Sequence, residues 1–94
     1  TEITNNTIKS FASAIGPWEG FSIQSNLINE NVAVELNIEK SKYIIFNNAG
    51  YTVLSGTITR NDRFINVAHL HDGIYFITAF DDQGNWKTIK FIKS

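Results

Sequence analysis

Residues 72–94 read DGIYFITAFDDQGNWKTIKFIKS, two apolar-rich runs of β-formers on either side of DDQGN. Period two sends successive side chains to opposite faces of a strand, so each run is a strand and the pair is a hairpin. In the second run Ile89 and Phe91 share one face with Lys87 and Lys93 beside them, while Trp86, Thr88, Lys90 and Ile92 take the other. In the turn, Asp81, Asp82 and Asn85 surround Gly84, which supplies positive φ, and the two acids keep the tip wet. The lysines admit two readings. They guard a sheet edge, at which a second copy can still pair, or they belong to a docking strand that another protein grips.

The pattern continues upstream. FINV is a short strand, and YTVLSGTIT is a strand that returns from the turn NNAG, where Asn47 and Gly50 tolerate positive φ. Gly56 within that strand marks a bulge. KYIIFN is apolar on both faces and reads as a central strand. VAVELNI sets Val32, Val34, Leu36 and Ile38 against Ala33, Glu35 and Asn37, a strand with one wet side. GFSIQS alternates as well, while RNDR and AHLHDG connect strands. About seven short strands without helical period between them predict an all-β, immunoglobulin-like antiparallel sandwich over residues 20–94.

Residues 1–19 differ and read as an arm with a linker. Ile8, Phe11, Ala12 and Ile15 fall at i, i+3, i+4 and i+7, which predicts a short helix over residues 5–15. Gly16 and Pro17 stop it, and GPWEG links it to the sandwich, anchored by Trp18. The chain opens at Thr1 with neither an initiator Met nor an apolar leader, as a mature or excised segment does.

Composition removes several function classes. The chain has 94 residues, 43% hydrophobic and 18% charged, as a single globular domain does. A net charge of −1 supplies no basic field for a phosphate backbone, so no nucleic acid is expected. No apolar run approaches the ~20 residues of a membrane helix, so no insertion is expected. Without cysteine there is neither a disulfide nor a thiolate metal site.

Chemistry-bearing groups are sparse. His69 and His71 make an H-x-H pair with only Asp72 nearby, which is short of a metal site, and no metal or cofactor is expected. DDQGN lacks the spaced carboxylates of a calcium loop. The acids are scattered, and no serine sits in a nucleophile elbow, so no catalytic residue is assigned and the domain reads as non-enzymatic. Trp18, Tyr51, Tyr75 and Trp86 offer one alternative, an accessory binding module with a sugar-stacking face or a protein ligand.

A family resemblance then weighs between the readings. IIFNNAGYTVLSG, INVAHLHDGIYFI and the closing KFIKS resemble, in order and spacing, the C-terminal sorting domain of type IX secretion cargo in the Bacteroidetes. Asn47 and Gly50 match its turn. Ile65, Val67, Leu70, Gly73 and Tyr75 match its I-x-V-x-x-L-x-x-G-x-Y stretch, and Lys90, Phe91 and Lys93 its terminal K-F-x-K. The family's Y-P-N-P stretch corresponds to Gln24, Ser25, Asn26 and Leu27, which keep only the asparagine. The resemblance implies an exported, non-catalytic address label, carried through the periplasm to the cell surface or beyond. Its implied partners are an outer-membrane translocon and a surface peptidase that cuts between Ile15 and Gly20. Gly73, Tyr75, Lys90, Phe91, Ile92 and Lys93 are the implied recognition residues.

Overall fold

Nine strands and no helix make up residues 14–94, which a computed structural model describes. They are β1 (Ala14–Ile15), β2 (Phe21–Ile23), β3 (Leu27–Ile28), β4 (Asn31–Leu36), β5 (Lys40–Asn47), β6 (Thr52–Thr59), β7 (Phe64–Asn66), β8 (Gly73–Phe80) and β9 (Trp86–Lys93). Six of them form one sheet in the order β1-β9-β8-β5-β6, with β3 also paired to β9. The remaining three form a second sheet, β2-β4-β7. The expected helix has residues 5–13 outside the described ones, and Ala14 and Ile15 are strand, antiparallel to Ile89 and Thr88. Two residues that complete ladder hydrogen bonds on an existing sheet outweigh the propensity of a marginal helix.

The long strands follow the sequence alternation. Val32 and Val34 of β4 are fully buried while Glu35 is exposed. They meet Ile45, Ile77, Ala79, Ile89 and Phe91 from the larger sheet in one core, which Trp18, Phe21, Ile65 and Val67 complete. Each fully buried aliphatic or aromatic side chain contributes about 1.5–3 kcal/mol of transfer free energy. The KYIIFN segment lies in β5, an interior strand between β8 and β6, as its two apolar faces demand.

Two turns form as the sequence predicts. Asn47 Oδ1 accepts hydrogen bonds from the Ala49 and Tyr51 amides at 3.0 Å each, and Gly50 has φ +94°. At the β8–β9 turn, Gly84 has φ +87°. The bulge lies elsewhere than expected. Ile45 pairs with Leu54 and Phe46 with Thr52, so Val53 is the extra residue. Gly56 stays in register opposite Tyr43 because the tyrosine ring lies over it; a Cβ there would stand 3.0 Å from the Tyr43 hydroxyl.

Candidate recognition face around strand β9

The inner row of the last hairpin is closed to solvent. Phe91 is fully buried and stacks on Tyr75, with ring centroids 5.7 Å apart. Tyr75 turns its hydroxyl to the His71 carbonyl at 2.8 Å, which satisfies the one polar atom on an otherwise apolar ring. Lys93 continues this row and is only 7% exposed; its ammonium lies 3.9 Å from the carboxylate of Asp72, itself 80% exposed. The lysine stem therefore extends the core while its charge reaches the wet rim. Gly73 stands opposite Lys93 and opens β8 at φ +154°. Space is open around it, so a side chain there is strained by the backbone angle alone.

The outer row is the opposite. Cross-strand registers line up Leu27, Ile92 and Ile74 in one rank, and Lys90, Phe76 and Phe46 in the next. Leu27, Ile92 and Ile74 are 65%, 43% and 39% exposed. Phe46 and Phe76 stack at 5.3 Å, and Thr78 and Thr88 share a 2.7 Å hydrogen bond further along. The charges at outward positions of β5, β8 and β9 are all lysines, Lys90 and Lys42 among them. No described element packs over this face. A contiguous apolar surface with a basic component, bared on one side of a sheet, is the signature of a docking face.

The backbone of β9, by contrast, is not open for docking. β1 pairs with its first half and β3, running parallel, with its second. Asn26 locks the junction: its side-chain amide donates to the Lys90 carbonyl at 2.6 Å, and its own carbonyl accepts from the Ile92 amide at 2.7 Å. The Ser94 amide then donates to the Ile28 carbonyl at 2.9 Å. The docking strand of the sequence reading is corrected accordingly: β9 is an interior strand, and what it offers is side chains. The lysine-guarded edge is corrected for the same reason.

Other sequence candidates fall away from this face. Trp18 and Tyr75 are core residues, while Tyr51 and Trp86 sit at opposite ends of the sheet, so the four aromatics make no sugar-stacking platform. Among the described residues no group of three or more His, Cys, Asp or Glu gathers, and His69 and His71 lie exposed in the connector before β8. In the β8–β9 turn, Asp81 Oδ1 accepts the Gln83 and Asn85 amides and Oδ2 accepts the Asn85 side chain at 2.7 Å. The Asn85 side-chain hydrogen bond, reinforced by these amides, holds the Asp81 carboxyl below the ordinary aspartate range. Beside it an open cleft of about 380 Å³ runs over Ser41, Lys42 and Phe80. Asp81 lines that cleft, but both of its carboxylate oxygens are engaged by the turn.

A model of the secretion system C-terminal sorting domain matches residues 26–94. The chain belongs to that family. No curated protein and no solved structure matches the chain. The sorting domain is the signal carried by cargo of type IX secretion, and its match spans β3 to β9. The match starts at Asn26, the one residue kept from the Y-P-N-P position and the one that clips β9 into the sheet. Sequence reading missed that role because the partner carbonyl lies 64 residues away. Of the residues singled out by resemblance, Lys90 and Ile92 reach the outer face of the sorting domain. Tyr75, Phe91 and Lys93 build its interior, with Gly73 at the start of β8.

Proposed function

We propose that the export machinery reads this sorting domain as a folded surface, through the outer face of β9 and β8, and not as a linear C-terminal tag. Lys90 and Ile92 make the contact, with Ile74 beside them. Gly73, Tyr75, Phe91 and Lys93 act as positioning residues that hold β9 in place. The carrying observation is the exposed Leu27–Ile92–Ile74 rank next to Lys90, on a face no described element covers. Its chemistry fits an apolar surface with acidic neighbours on the translocon. In this reading the domain has no catalytic task. It accompanies cargo through the periplasm to the outer membrane, where a surface peptidase separates the two. Trp18 is buried and Ile15 is paired in the sheet, which favours a cut before Ala14 over one between Ile15 and Gly20.

The test fuses residues 1–94 behind a signal-peptide-bearing reporter in a bacterium with type IX secretion. Lys90→Glu combined with Ile92→Lys is expected to keep the melting temperature yet strand the reporter in the periplasm. Equal surface delivery of the folded variant overturns the reading.

A further inference from the structure

With β9 flanked on both sides, the one long edge of the larger sheet among the described residues is β6. β6 runs for eight residues as TVLSGTIT, without a charge or a proline; Val53 is bulged and Thr59 is bonded to Asp62, so the regular, open part of its edge is Leu54 to Ile58. Long, neutral edges are what sheet proteins otherwise blunt with lysine, proline or bulges, because their unpaired N–H and C=O groups template another strand. The other edges among the described residues are short: β1 and β3 have two residues each, β2 and β7 three.

The polarity of the β6 backbone follows from its end. The Arg60 amide donates inward to the Glu39 carbonyl, whereas Thr59 exchanges both its backbone bonds with Asp62 on the far side. Alternation then turns Ile58 and Gly56 toward β5, and Thr57 and Ser55 outward. Ser55, Gly56 and Thr57 are all exposed.

The sequence of β6 is also nearly symmetric about Gly56. Ser55 mirrors Thr57, and Leu54 mirrors Ile58. A two-fold axis through Gly56, normal to the sheet, therefore sets each hydroxyl residue against a hydroxyl residue and each aliphatic against an aliphatic on the matching face. Ser55 of one copy meets Thr57 of the other in the position where both outward backbone pairs bond, and no like charges oppose.

We propose that this edge pairs with β6 of a second copy of the chain, antiparallel and centred on Gly56, to join two six-stranded sheets into one. The self-mirroring of the strand selects a second copy over an unrelated extended segment, whose sequence would have no reason to match it. Pairing over so short an edge belongs to the small-interface class, so the dimer is concentration-dependent.

The test is sedimentation velocity on the full chain from about 1 µM to about 1 mM, the range of a weak interface. A concentration-dependent dimer is expected, with its dissociation constant raised roughly tenfold or more in the Ser55→Lys/Thr57→Lys double variant, which opposes like charges across the pair. Circular dichroism of the dilute variant checks that the monomer fold survives. A second readout uses the absence of cysteine from the chain. Mixed Ser55→Cys and Thr57→Cys chains are to be crosslinked with a short bifunctional thiol reagent. The mixed dimer should exceed the Thr57→Cys homodimer. A monomer at every concentration, a dimer indifferent to the two lysines, or crosslinking without preference for the mixed pair overturns the proposal.

Discussion

Phe91 shows what a single side chain holds together. It is fully buried against Tyr75, so Phe91→Ala should lower unfolding free energy by about 3–5 kcal/mol, read by urea denaturation. Export by that variant should then follow its folded fraction as temperature is varied, whereas delivery independent of the folded fraction would mark a tag read linearly. Asn26→Ala removes one clip and should destabilise by about 1 kcal/mol, with hydrogen exchange quickening at the Ile92 amide before the rest of β8 and β9. Alternation put Ile89 and Phe91 on one face without saying which way it turns, and the structure makes it the inward one. Lys93 occupies an equally inward position by the same arithmetic, but a lysine reads as solvent-facing until the Asp72 carboxylate is found at the rim. Asn26 was visible as a family remnant, yet its hydrogen-bond partners are set by tertiary structure and leave no local trace.

Strands and turns were legible in proportion to their length. The strands of six and eight residues carry enough alternation to declare themselves, whereas the two-residue β1 and β3 carry none. Both exist because β9 offers ladder groups, which a local window cannot register. The Asp81 turn yields a pH prediction at this scale. Its carboxyl titrates lower in the folded hairpin than in the unfolded chain, owing first to the Asn85 side chain. The turn's stabilisation is therefore present above the ordinary aspartate range and disappears as pH falls through the lowered value. Amide shifts of Gln83 and Asn85 should follow that single transition, and Asp81→Ala should abolish it while leaving neutral-pH pairing of β8 with β9 intact.

The two sheets together explain why the proposed recognition face can be altered without breaking the fold. The core lies between the sheets, so Ile74→Lys with Ile92→Lys changes only the outward side of the larger one. Each substitution should shift stability by no more than about 0.5 kcal/mol, measured by thermal melting, while reporter delivery collapses. The two-sheet, all-β class was readable from strand count and turn spacing, but the order β1-β9-β8-β5-β6 was not, since it joins segments from both ends of the chain. That order has a further effect on the timing of synthesis. Trp86–Lys93, which follows the other eight described strands in the chain, is laid into the sheet between β8 and the β1 and β3 segments made long before. A ribosome product that stops short of residue 86 leaves β8 bare on one side, and Asn26 without the carbonyl it holds. Such a chain lacks the outer rank that Ile92 completes. The strand order thus ties the Leu27–Ile92–Ile74 rank to synthesis that has run through β9: until those residues emerge, the rank lacks its middle member.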